Sequence, residues 1–141
     1  MKIYSFLIIL CLPVFIFLFA LSLLYKNFYF YQKIYTDENL YQNYQSKFEA
    51  DNYLKNVSMY FANEDNLNGD YFSQQAILHM KDVKKIFTFL THILIFSFSI
   101  ILTSSLLLLN NKTLLLKSIQ IGSVLTVLFM ILISLLFSLN F

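Results

Sequence analysis

Three long stretches of this chain carry no charged side chain: residues 3–25, 86–111 and 118–141, each 23 to 26 residues long and dominated by Leu, Ile, Phe and Val. At ~1.5 Å rise per residue, about 20 such residues cross a hydrocarbon core of roughly 30 Å. The pattern therefore predicts an all-α membrane protein with three transmembrane helices. The spans fall at 1–24, 86–109 and 118–141; a polar cap over 25–85 and a short turn over 110–117, "NNKTLLLK", connect them. Pro13 lies inside the first span, where a missing backbone donor predicts a bend near Leu10.

The cap predicts small, mainly helical elements. It opens with the aromatic run "YKNFYFYQKIY", a composition that sits at headgroup level beside a span. Apolar residues then recur at Leu40, Tyr44, Phe48, Leu54, Val57 and Phe61, mostly three, four or seven apart, which predicts an amphipathic helix starting after Thr36 or Asp37. "MYFANEDNLNGDYF" predicts a short hairpin or loop turning at Asn68-Gly69. A segment of about 60 residues buries little core of its own, so it leans on the membrane and the span ends. Ser73 is a good N-cap for the helix that becomes span two, and Phe72 is placed to pack on Ile77 as a hydrophobic staple. Ala76 stands where a full capping box would have Glu or Gln.

Composition agrees with a membrane chain: 58% hydrophobic and 13% charged, against about 25% charged in soluble domains. The net charge is +2, with no Arg and no basic face interleaved with stacking aromatics, so no nucleic-acid partner is expected. Orientation does not follow from charge. Lys2, Lys112 and Lys117 lie on one side, while Lys26, Lys33, Lys81, Lys84 and Lys85 flank the spans on the other. Cys11 is the only cysteine and has no intrachain partner; bulky Leu10 before it argues against a lipobox. Lys2 and Ala20-Leu21-Ser22 have the outline of a signal peptide, yet apolar residues continue through Tyr25, so the first span reads as an uncleaved anchor.

Candidate chemistry concentrates in "YFSQQAILHMKDVKKIF", Tyr71 to Phe87. His79 and Asp82 are three apart on the expected helix, hence neighbours on one face. His79 lies about seven residues, or ~10 Å, above Ile86, at the level of lipid esters. A neutral imidazole there is a proton acceptor, and Asp82 can hold its tautomer. The plainer reading makes His79 an interfacial polar residue and pairs Asp82 with Lys81 or Lys85 in solvent. His92 lies inside span two, ~20 Å lower and roughly 140° round the helix, too far to share a substrate atom with His79; a hydrogen bond to Thr88 is its structural role. Ser97, Ser99, Thr103, Ser104 and Ser105 in the same span admit a channel or transporter reading, but such residues also join helices to one another.

These residues resemble a family. Phe72, Ser73, His79, Met80, Asp82, Val83 and Lys84 match the bacterial lipoprotein intramolecular transacylases, whose signature runs roughly Phe-Ser/Asn-Glu-x-Glu-x-x-His-Met-x-Asp-Val-Lys. The pieces "FYFYQK" and "NYLKN" are similar at matching distances upstream. The resemblance implies transfer of the sn-2 acyl chain of a diacylglyceryl-modified N-terminal Cys to its α-amino group. It also implies location in the bacterial plasma membrane with the cap outside, membrane lipids and a diacylated lipoprotein as partners, His79 as the first of two catalytic histidines, and no cofactor. Tyr29, Tyr31 and Tyr71 are then the expected walls of the substrate pocket, with Asp82 beside the histidine. Two departures bear on activity. Gln74 and Ala76 replace the family's acidic residues, and the chain ends at Phe141, before the second outer segment, second histidine and fourth helix of family members. The alternatives are an inactive truncated relative, completion by a separate polypeptide, or Asp82 or a Tyr in the acid role. The rival function is a non-catalytic membrane protein whose cap binds a membrane partner or lipid.

Overall fold

The computed structural model describes residues 2–63, 66–67 and 72–139, the Phe137 side chain excepted. Its helices are α1 (Lys2–Tyr25), α2 (Phe28–Asp37), α3 (Lys47–Ala62), α4 (Gln74–Leu107) and α5 (Lys112–Leu139), with one 3₁₀ turn at Leu40–Asn43 between α2 and α3. Among the described residues there is no strand. Three helices, α1, α4 and α5, are long and apolar enough to cross a membrane, and a lipid environment favours that form because every backbone group is bonded within its own helix. α1 continues as one helix through Pro13.

Polar side chains set most helix boundaries. Asn27 caps α2 by accepting from the Tyr29 amide at 2.9 Å. Asn39, in the left-handed region at φ 54°, follows its end. Ser46 caps α3, accepting from the Glu49 amide at 3.1 Å, while the Glu49 carboxylate accepts from the Gln45 amide at 3.1 Å. Ser73 starts α4, its hydroxyl accepting from Ala76 N at 3.2 Å. Asn111 starts α5 through the Leu114 amide at 3.1 Å.

Three sequence expectations change in detail. The amphipathic helix does not start after Thr36 or Asp37: Asn39 breaks the chain there, and α3 begins only at Lys47. The aromatic run after the first span is itself a helix, α2. Of the hairpin expected over 59–72, residues 59–62 form the end of α3, and Asn68-Gly69 lies outside the described residues.

The chain divides into two compact units, residues 1–20 with 90–141, and residues 21–89. In the first, α5 lays a row of small residues against α1. Ser118 donates to the Leu114 carbonyl at 2.7 Å, so Ser5 is the donor in its 2.6 Å bond to the Ser118 hydroxyl. One turn on, Gly122 meets Leu12, and Thr126 donates back to the Gly122 carbonyl at 2.8 Å. Phe15 lies against Phe98 of α4 and Phe17 against Phe129 of α5, both at 5.6 Å between centroids. Ser97 and Ser104 are buried, whereas Ser99 and Thr103 bond to α4's own carbonyls. The hydroxyls of Ser99 and Thr103 are thus satisfied within α4 itself.

In the second unit a core of Tyr25, Val57, Tyr60, Phe61 and Phe72 sits beneath α3. Tyr25, at the end of α1, stacks on Phe87 of α4 at 4.1 Å, and Phe61 of α3 meets Tyr25 and Phe87 edge-on. This aromatic wedge joins the end of α1 and the adjoining part of α4 to the cap.

Candidate functional site

The first turns of α4 carry the candidate residues, and their orientation follows from what the helix buries. Ala76, Ile77, Met80, Val83 and Phe87 pack against the cap core, a stripe with helical three- and four-residue spacing. Ile77 joins the cluster that holds Phe72, as expected of a staple. Lys84 lies over the same side, its ammonium 3.9 Å from the centroid of the Tyr60 ring. The motif His-Met-x-Asp-Val-Lys therefore divides by role. Met80, Val83 and Lys84 clamp the helix to α3, and His79 and Asp82 face outward.

Both outward residues are exposed. Asp82 accepts from the Lys85 ammonium at 2.8 Å, with 71% and 69% of the side-chain surfaces open. No hydrogen bond joins His79 to any described residue. Asp82 thus lies with Lys85 in this structure, the pairing that the plainer reading anticipated. His92 is on the same continuous helix, thirteen positions on.

The three pieces of sequence that carry the resemblance converge in the cap. In "FYFYQK", Gln32 donates to the Asp51 carboxylate at 3.0 Å. In "NYLKN", directly after Asp51, Leu54 is buried and Tyr53 lies against Phe72 of the motif at 4.5 Å between centroids. Tyr41 adds a 2.8 Å bond to Asp51, so one carboxylate holds α2 and the 3₁₀ turn to α3. The hub at Asp51 and the Lys84–Tyr60 contact were not singled out from the sequence. Lys84 had a signal, its place in the motif; Asp51 had none beyond its neighbours.

Of the candidate tyrosines, the two described ones, Tyr31 and Tyr29, are differently placed. Tyr31 packs on the cap core and donates its hydroxyl to the Tyr25 carbonyl at 2.6 Å. Burial, then the neighbouring Tyr25, push its phenol above the ordinary range. Tyr29 is 76% exposed and stands apart from that core. Tyr71 lies outside the described residues. A tyrosine ladder extends from that core through the cap: Tyr53 contacts Tyr44, and Tyr35 contacts Tyr44 and Tyr41.

A family model described as lipoprotein intramolecular transacylase Lit matches residues 6–141. No curated protein and no solved structure matches the chain.

Proposed function

The chain belongs to the lipoprotein intramolecular transacylase family, and from that premise we propose that it moves the sn-2 acyl chain of a diacylglyceryl lipoprotein to the α-amine of the N-terminal Cys. The product is a lyso-form lipoprotein. The amine nitrogen attacks the ester carbonyl, a C–N bond forms, the C–O bond to glycerol breaks, and the proton lost by nitrogen ends on the glyceryl oxygen. Donor and acceptor belong to one molecule and ester becomes amide, so the transfer consumes no co-substrate.

His79 is the proposed proton carrier. An α-amine has a pKa of about 7.7–8.0 and attacks only when deprotonated. An imidazole accepts its proton and hands it to the leaving oxygen, as the histidine of a Ser-His-Asp triad does; such general catalysis contributes ~10²–10⁴-fold. The single observation that carries this reading is that, of the family-matching residues His79, Met80, Asp82, Val83 and Lys84, His79 is the exposed one with no hydrogen bond, ion pair or core contact among the described residues, above the uncharged stretch that starts at Ile86. Asp82 is the proposed orienting carboxylate once it leaves Lys85, and exposed ion pairs of that kind are weak. Tyr31, with its proton fixed on the Tyr25 carbonyl, offers a ring wall; Tyr29 and Tyr71 are the other walls proposed. The reaction places the cap on the outer face of a bacterial plasma membrane, where diacylated lipoproteins stand.

The Asp82–Lys85 pair favours one alternative, a non-catalytic cap that binds a membrane partner or lipid. Expression in bacteria lacking a lyso-forming enzyme separates the two. Mass spectrometry of N-terminal lipopeptides shows N-acylation that disappears with His79→Ala if the chain is the enzyme. No N-acylation at high expression supports the non-catalytic reading.

A further inference from the structure

We propose that α2 is seated in the surface of the lipid bilayer, with Phe30 and Ile34 turned toward the acyl chains. Only Lys26 and Asn27 separate it from α1, whose apolar span ends at Tyr25. At no more than ~3.6 Å per residue, Phe28 begins within about 11 Å of the span's last residue. The chain does not use even that reach to climb away. The Asn27 amide donates back to the Leu24 carbonyl at 3.0 Å. The Tyr31 hydroxyl then returns to the Tyr25 carbonyl at 2.6 Å, which ties the middle of α2 to the end of the span.

The sides of α2 are differently occupied. Tyr31, Gln32 and Tyr35 face the cap: Tyr31 packs on its core, Gln32 bonds Asp51, and Tyr35 bonds Tyr44 at 3.2 Å between hydroxyls. Tyr29, Lys33 and Thr36 form a more polar flank. Phe30 and Ile34, four residues apart and so on one line of the helix, form the remaining flank, which ends in Asp37 at the last position of α2. No residue of α2 is buried within the protein. An amphipathic helix held at the end of a span finds cover for such a flank in the headgroup–acyl boundary, where apolar residues enter by roughly 5–10 Å. The occupant is the bilayer that the adjoining span already crosses.

The chain contains no Trp, so each introduced Trp reports alone. The whole protein carrying Phe30→Trp, Ile34→Trp, Lys33→Trp or Thr36→Trp is reconstituted in phosphatidylcholine vesicles, with and without phosphatidylcholine brominated near the carbonyl end of its acyl chains. Phe30→Trp and Ile34→Trp are expected to lose at least about half their emission to bromine, with blue-shifted maxima, while Thr36→Trp changes little. Equal quenching at all four positions, or stronger quenching at Thr36→Trp, overturns the proposal. Phe30→Trp exchanges one aromatic ring for another and decides the matter if Ile34→Trp disturbs the helix. No acyl transfer enters the readout, so the result stands apart from the fate of the transacylase reading.

Discussion

Lys84 holds its ammonium over the buried ring of Tyr60, 3.9 Å from the centroid. This contact ties α4 to α3 one turn beyond His79 and explains a lysine in a stripe otherwise made of apolar side chains. A cation over an aromatic face contributes about 0.5–2 kcal/mol, depending on how dry the site is. Lys84→Met keeps most of the stem's packing but loses the charge. It is expected to lower hydrogen-exchange protection across α3 and the first turns of α4, while Lys84→Arg retains it. Equal loss in both variants would point to packing of the stem alone.

Phe72 is the second tie. It is 5% exposed, precedes the Ser73 cap and lies against Tyr53. Removing a buried Phe side chain costs about 3–5 kcal/mol. Phe72→Ala is therefore expected to loosen the cap far more than Ser73→Ala, for which the loss of an N-cap costs about 1 kcal/mol. Urea titration of the reconstituted protein, read by proteolysis of the cap, checks the ranking.

These two ties also show what was legible in advance. Ser73 and the Phe72–Ile77 staple follow from local rules at a helix start, so the placement of His79 on an unbroken helix could be read directly. Its partner could not. Asp82 has His79 three positions before it and Lys85 three after, and helical spacing does not choose between them; in the structure the ammonium, with its longer reach, takes the carboxylate. The three spans were legible because an apolar run of that length has few other uses. The start of α3 was missed because Leu40, Tyr44 and Phe48 keep a helical period across the extended backbone at Tyr44 and Ser46 that separates the 3₁₀ turn from α3. Phe48 is 76% exposed and was never core. The informative signal was Ser46-Lys47-Phe48-Glu49, a Ser and Glu at capping-box spacing.

Gly122 tests the α1–α5 contact. A Cβ there would lie 2.9 Å from Leu12 Cδ2, 3.3 Å from Leu12 Cβ and 3.5 Å from Ile9 Cα. The Leu12 methyl can rotate away, Leu12 Cβ needs to give by only a few tenths of an ångström, and the distance to Ile9 Cα is ordinary contact, whereas a longer side chain would run into the α1 backbone. Gly122→Ala is thus expected to cost little, and Gly122→Leu about 1–3 kcal/mol through overpacking. Thermal unfolding in detergent should separate the two, and a combined Gly122→Leu and Leu12→Ala variant should recover part of the loss.

Tyr35 makes the cap alkali-sensitive. Burial first, then the hydrogen bond to Tyr44 and the surrounding tyrosines, raise its phenol well above the ordinary value of about 10. Between those two values the unfolded chain has lost a proton that the folded chain keeps, so stability falls as pH rises from about 10. Tyr35→Phe, which cannot ionise, is expected to flatten that decline, at the cost of the Tyr44 hydrogen bond near neutrality. Cap stability measured between about pH 8 and 11 for both proteins gives the comparison.

The acyl-transfer reading makes its sharpest demand on the residues around His79. The imidazole is exposed, so His79→Ala should fold normally and reduce N-acylation by ~10²–10⁴-fold if His79 carries the proton. His92→Ala, altered thirteen positions away on the same helix, should leave transfer unchanged. Lys85 and Asp82 report on the orienting role. If the carboxylate must leave Lys85 to reach the imidazole, Lys85→Met releases it and transfer rises or holds, whereas Asp82→Asn lowers it. If Asp82 serves only to neutralise its neighbour, the two variants change transfer alike and slightly. Lipopeptide mass spectra from matched expression levels give all four rates, and undiminished N-acylation in His79→Ala would remove the imidazole from the reaction altogether.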